Sequence, residues 1–206
     1  MKIESRRYRL TGFTPLLGSQ PAKEEIRTQY IASKAPSLER GREEDAMLPD
    51  LDSKGLTVFL RRPEDDALSM MDYHVIAFLK AACSVLAAEN GIKQAASKVN
   101  TYVFAEPRVI PVLRNGKPII DEDSVLERPL RAQTMQGPRV ALAASERVDD
   151  PWTIEFTLKL IANEGTPKSK AVSWEALEAA LDYGALRGLG QWRNGGWGRF
   201  AWERVG

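Results

Sequence analysis

Hydrophobic and polar residues alternate most cleanly over 152–162. There Trp152, Ile154, Phe156, Leu158 and Leu160 fall on one side of an extended chain, and Thr153, Glu155, Thr157 and Lys159 on the other. This period of two predicts a central strand with one buried face. The same period over 3–13 sets Tyr8 and Leu10 against Arg7 and Arg9, so the arginine face of a first strand is open to solvent or a partner. Over 56–61, Val58 and Leu60 alternate with Thr57 and Phe59 in a second strand. Residues 99–105 and 109–113 read as strands interrupted by Pro107, and Arg114-Asn115-Gly116-Lys117 as a hairpin turn leading to Ile119 and Ile120. The segment 126–148 is broken by Pro129, Gly137 and Pro138 and reads as two ragged strands around a flexible loop. Its Arg128, Arg131, Arg139 and Arg147 are able to reach a polyanion or to face solvent. Phe200, Trp202 and Val205 close the chain as a last strand.

Two segments carry a helical period instead. Ile76, Leu79, Cys83 and Leu86 form one apolar stripe, with Asp72 as N-cap, Met71 and Ile76 as a hydrophobic staple, and Asn90-Gly91 as the stop. Ser173 caps a second helix through Tyr183, in which Trp174, Leu177 and Leu181 face inward and Gly184 stands at the C′ terminator position. Between the first two strands, a polar excursion over 18–54 has few apolar positions. The pattern as a whole predicts one α+β domain over 1–206, with an antiparallel sheet and two main helices.

Composition adds limits. A chain of 206 residues, 43% hydrophobic and 28% charged, buries a sizeable core. Its net charge of +1 excludes a generally basic nucleic-acid binder, so any phosphate affinity must come from uneven placement. Placement is uneven. Eight Lys or Arg stand against four Glu over 1–40, four against eight acidic residues over 41–66, and four Arg against Glu203 over 184–206. One cysteine, Cys83, forms no internal disulfide, and one histidine, His74, leaves no Cys/His set for zinc. Asp121, Glu122 and Asp123 are consecutive, do not face one way, and read as a solvated turn rather than a metal site. No run has the length of a membrane span and the polar start lacks an apolar signal core, so the expected setting is the cytoplasm.

The candidate chemistry concentrates at 184–200, GALRGLGQWRNGGWGRF. Six glycines there are set among Arg187, Gln191, Trp192, Arg193, Trp197 and Arg199. Ordering so many glycines costs backbone entropy and calls for a reason. One reason is a long hairpin turn; the other is a backbone that approaches a ligand closely, with arginines for phosphates and indole faces for bases. The loop leaves a helix C-terminus and enters a strand, opposite to a nucleotide-binding P-loop, and it lacks both Gly-Lys-Ser/Thr and GxGxxG. No cofactor is therefore expected. Flexible, basic and aromatic, the loop suits single-stranded nucleic acid.

An N-terminal strand running into TGFTPLLGS, paired with a C-terminal helix followed by GLGQWRNGGWGRF, resembles a family of uncharacterised phage and prophage proteins. More distantly it is similar to the repeat-associated superfamily of CRISPR RNA-binding subunits. The resemblance implies a ferredoxin-like, RNA-recognition-motif-like core with a glycine-rich loop before the last strand. It also implies binding of RNA or single-stranded DNA inside a bacterial host cell. Arg7, Arg9, Arg128, Arg131, Arg139, Arg187, Gln191, Trp192, Arg193, Trp197 and Arg199 are then the candidate nucleic-acid contacts. Members that cut RNA use a histidine with a hydroxyl or lysine partner. Here His74 neighbours Tyr73 in a helix start, so a non-catalytic binder is the leading expectation and a metal-independent endoribonuclease using His74 an alternative. A protein-interaction or self-assembly module is the other, since Trp and Arg also anchor protein interfaces.

Overall fold

The computed structural model describes residues 2–22, 39, 55–134, 137–162 and 171–206. The side chains of 130–134, 137–141 and 162 are outside that description, as is the polar excursion over 18–54 except for residues 18–22 and Glu39. Strands β1 (Lys2–Gly12), β2 (Leu16–Leu17) and β3 (Gln20–Pro21) come first, then β4 (Leu56–Val58), β5 (Leu60–Arg61) and β6 (Leu68–Met71). Helices α1 (Asp72–Val85), α2 (Ala87–Asn90) and α3 (Ala95–Tyr102) follow. Next are β7 (Val103–Glu106), β8 (Val109–Pro111), β9 (Leu113–Arg114), β10 (Lys117–Pro118), β11 (Ser124–Thr134), β12 (Gly137–Val148) and β13 (Thr153–Ala162). Helices α4 (Trp174–Asp182) and α5 (Gly184–Arg187) lead through the glycine-rich loop to β14 (Phe200–Arg204).

The alternating segment becomes the centre of the largest sheet. β13 pairs antiparallel with β1 from Lys2↔Ala162 to Thr11↔Thr153, and on its other edge with β7 and β9, while β14 pairs antiparallel with β1. Tyr8, Leu10, Ile154, Phe156 and Leu158 are buried from this sheet, together with Val75, Phe78 and Leu79 of α1 and Leu177 and Leu181 of α4. The helices therefore cover one face and leave Arg7, Arg9 and Glu155 on the other. Trp152 is fully buried beside β13 and donates its indole N–H to the Thr14 carbonyl at 2.8 Å. Truncating a buried indole of this kind costs about 3–5 kcal/mol.

A ferredoxin-like or RNA-recognition-motif-like core, with two helices on one antiparallel sheet, is not what the chain forms. Its described residues form a mixed α+β structure with three sheets and more than two helices. The second sheet runs β11-β12-β4-β3, with β2 also on β12, and its β12–β4 pair is parallel; the third runs β5-β6-β8. Two local events separate the expectation from the fold. Of the strand expected over 99–105, residues 99–102 instead end a helix that begins at Ala95, because Ala95 and Val99, four apart, bury one face, and only 103–105 are extended. The single strand expected over 56–61 breaks at Phe59, sending β4 to one sheet and β5 to another.

Local signals elsewhere hold. Asn115 and Gly116 both take positive φ, 52° and 75°, in the β9–β10 hairpin. Ser173 Oγ accepts the Ala176 N–H at 3.3 Å at the start of α4. Gly184, expected as a terminator, instead opens α5, and the chain leaves the helical course at Gly188 with φ 76°. At the start of α1, the N-cap position falls to Met71, whose N–H is accepted by His74 Nδ1 at 3.1 Å, and Asp72 is the first helical residue.

Candidate nucleic-acid interface

The two stretches that stood out at either end of the sequence pack against each other. Gly198 donates its N–H to the Pro15 carbonyl at 2.8 Å, Phe13 N–H donates to the Arg199 carbonyl at 3.0 Å, and Arg199 N–H donates to Thr14 Oγ1 at 2.8 Å. Within the loop, Leu189 N–H donates to the Gly198 carbonyl at 2.8 Å, so its two arms cross. The crossing requires glycine. A Cβ on Gly198, at φ 70°, would lie 1.9 Å from the Leu189 carbonyl oxygen, and one on Gly188, at φ 76°, 2.2 Å from that of Trp197. Part of the glycine content is thus explained by main chain meeting main chain inside the protein.

The tip of the loop is held by its aromatic rings. Trp192 and Trp197 stack with centroids 6.1 Å apart and planes 18° from parallel. The Arg128 guanidinium of β11 lies 3.8 Å from the Trp192 ring centroid, and that of Arg147 on β12 lies 5.6 Å from the Trp197 ring. Both arginines come from one face of the β11–β12 hairpin, because Ser124 pairs with Arg147 and Arg128 is four residues on from Ser124. Each indole therefore carries a guanidinium from within the protein, an attraction of about 0.5–2 kcal/mol, and part of the ring surface expected to await bases is already covered. Trp192 keeps 37% of its surface exposed. Arg128 is only 8% exposed, its Nε and Nη1 have no hydrogen-bond partner among the described residues, and burial lowers its pKa.

Arg187 and Arg193 have a different setting. They line one cleft of about 240 Å³ with Phe78, Ala81 and Val85 of α1 and with Tyr183. Arg193 also lines an adjoining cleft of about 300 Å³ with Ser19, Thr57, His74, Gly190 and Gln191. The loop thus crosses α1 with the Arg193 side chain between two openings. Neither Arg187 nor Arg193 takes part in an ion pair among the described residues. Burial, followed by the neighbouring charge of Arg187, lowers the pKa of Arg193. Gln191 is anchored through its N–H to the Leu17 carbonyl at 3.5 Å. His74 is separated from the loop by more than a hundred residues of sequence, yet it shares a cleft with Gln191 and Arg193. Since Nδ1 accepts a backbone N–H, the proton of neutral His74 resides on Nε2.

The remaining expected contacts lie elsewhere. Arg7 Nη2 pairs with Glu155 at 2.6 Å, and Arg9 bridges Glu155 and Glu203, both at 2.8 Å. They stand on the outer face of the large sheet, away from the loop, and their charge is compensated. Arg131 and Arg139 belong to the hairpin, opposite Val140 and Ala132, and their side chains lie outside the described residues. Arg199 stays beside the loop, its Nε buried without a hydrogen-bond partner. Glu122 pairs with Arg61 at 3.0 Å and Asp123 with Arg114 at 2.6 Å, and no metal-holding cluster occurs among the described residues. Ser19, Thr57 and Tyr183 line the clefts but had no distinguishing pattern in sequence. Only the fold places them there.

Comparison with protein-family models and with curated proteins finds no match. Among the described residues, no helix is long and apolar enough to cross a membrane.

Proposed function

We propose that this chain binds single-stranded nucleic acid, RNA in the first instance, along the two clefts that meet at Arg193. What carries the reading is one contrast: Arg187 and Arg193 line these clefts without a carboxylate partner among the described residues, whereas Arg7, Arg9, Arg61 and Arg114 are each paired. Arg193 is partly buried and lies beside the charge of Arg187, which disfavours its charged form, and a phosphate between them relieves that cost. Gln191, Ser19 and Thr57 supply hydrogen-bonding groups for a sugar or base edge in the adjoining cleft. Trp192 and Trp197 act first as the stacked frame that holds the loop over the helix, and the exposed part of Trp192 is left for a base. The likeness of the two terminal motifs to RNA-binding repeat-associated subunits belongs to this proposal and agrees with it.

Fluorescence-anisotropy titration with a short RNA or DNA strand at two salt concentrations tests the reading. Phosphate binding at the clefts gives affinity that falls as salt rises and that drops in an Arg187→Gln/Arg193→Gln variant. Affinity insensitive to salt would remove the phosphate contacts on which this reading rests.

One observation favours a second reading, metal-independent RNA cleavage: His74 shares its cleft with Arg193 and Gln191. To give a proton to a leaving oxygen, His74 must be the doubly protonated imidazolium, which gives up the hydrogen bond its Nδ1 accepts from Met71 N–H; the Arg193 guanidinium that shares the cleft is able to stabilise charge on the phosphate. A His74→Ala variant separates the two readings. Cleavage that vanishes while strand binding persists supports catalysis; cleavage that persists, or is absent from the unaltered protein, removes it.

A further inference from the structure

The cleft shared by Arg187 and Arg193 differs from its neighbour in composition. Its polar groups are the two guanidiniums and Tyr183, and the rest of its lining, Phe78, Ala81, Ala82 and Val85, is apolar. Past the arginines, Tyr183 is the one polar side chain among its described lining residues that a sugar-phosphate chain continuing along α1 would meet. At about 240 Å³ it also falls below the roughly 300–1,000 Å³ of sites that enclose a drug-sized molecule, and it suits a phosphate group better than a whole nucleotide. The groups with which a strand could continue, namely Gln191, Ser19 and Thr57, all lie on the other side of Arg193.

From this arrangement we infer that the Arg187–Arg193 cleft is an end-recognition site, which takes the terminal phosphate monoester of a strand whose adjoining nucleotide occupies the Gln191 cleft. This rests on the nucleic-acid reading above and adds a polarity to it. A monoester carries close to two negative charges at neutral pH, against one for an internal diester, and so matches two cations. Arginine suits the task, because a planar guanidinium can donate two parallel hydrogen bonds to phosphate oxygens. Phe78 and Ala82, both buried, give the cleft an apolar wall, so on that side the monoester meets surroundings where charge pairing is less screened than in open solvent.

The test compares one short RNA sequence with a 5′-phosphate, a 3′-phosphate or hydroxyl groups at both ends, by anisotropy competition against the unaltered protein. A phosphorylated end should tighten binding about tenfold over the all-hydroxyl strand, the effect of one added charge-assisted contact. Comparing the 5′ and 3′ arms identifies which terminus enters. In Arg187→Gln every strand should bind more weakly and the difference between phosphorylated and all-hydroxyl ends should disappear, and Arg187→Lys should restore part of that difference. Equal affinity for all three strands overturns end recognition and leaves the nucleic-acid reading standing. Failure of every strand to bind overturns both. The comparison of ends in the unaltered protein needs no variant, so a variant that folds poorly does not spoil the test.

Discussion

Arginines on the outer face of the large sheet and arginines under the glycine-rich loop are similar in number and type but not in what stands opposite them. On the sheet, β1 presents Arg7 and Arg9 in a row, and β13 and β14 answer with Glu155 and Glu203 at 2.6–2.8 Å. Cross-strand pairing places each charge next to its opposite, so this face is laced together and electrically quiet. Under the loop, Arg187 and Arg193 meet each other across a cleft, and Arg128 is buried against Trp192 with two donors unused. A run of arginines therefore says little about a ligand until its partners are known. Uncompensated, half-buried cations are the ones that call for an anion.

The contrast can be broken most severely at the loop's own crossing point. Gly198→Ala forces a Cβ to within 1.9 Å of the Leu189 carbonyl at a positive φ. It should cost about 3 kcal/mol or more of folding stability, read as a lower urea midpoint, and should abolish strand binding as the clefts lose their roof. Next in size, Arg187→Gln/Arg193→Gln should weaken single-strand binding about a hundredfold, the loss of two charge-assisted contacts. Its urea midpoint should stay within about 0.5 kcal/mol of the unaltered protein, because no ion pair is removed.

The outer face is sharpened by pH. Hydrogen bonds from Arg9 and then Arg7 hold the Glu155 carboxyl below the ordinary glutamate range. A carboxylate depressed in the folded state adds stability at pH above its unfolded value, and that contribution is lost as pH falls through the folded value. Acidification below about pH 4.3 should thus remove up to about 1 kcal/mol that a Glu155→Gln variant does not have to lose. Urea titrations of both proteins at neutral pH and near pH 3 measure the difference. The smallest effect is expected from Arg7→Gln/Arg9→Gln, which should leave strand affinity within about twofold, since those guanidiniums already face carboxylates.

Much of the local structure was legible in the sequence because it is written at short range. The period of two in β13, the Asn115-Gly116 turn and the Ser173 cap each depend on neighbours within a few residues. Residues 99–102 were misread as strand because Tyr102 and Val103 suit one, while the burial of Ala95 and Val99 that favours a helix is decided by what packs over them; 103–105 are extended as expected. The glycines at 188 and 198 were conspicuous, but their reason was not, since it lies in carbonyl oxygens across the loop and in the distant Thr14 and Pro15. The site shows the same division. Arg187, Gln191 and Arg193 could be picked from the loop itself, whereas the grouping of His74, Ser19 and Thr57 beside them required the chain to be folded. Arg7 and Arg9 looked exposed because their strand could be read, but Glu155, which pairs with both, and Glu203, which pairs with Arg9, could not be placed opposite them from spacing alone.

The central claim is that the charge which meets a ligand resides in the loop clefts and not on the sheet. The most direct measurement is the salt dependence of single-stranded RNA affinity for the unaltered protein, Arg187→Gln/Arg193→Gln and Arg7→Gln/Arg9→Gln. At about 0.7 per phosphate contact on a single strand, removing the cleft pair should lower the slope of log K against log salt by about 1.4, and removing the sheet pair should leave it unchanged. An equal drop in both variants, or a drop only in the sheet variant, would contradict the account.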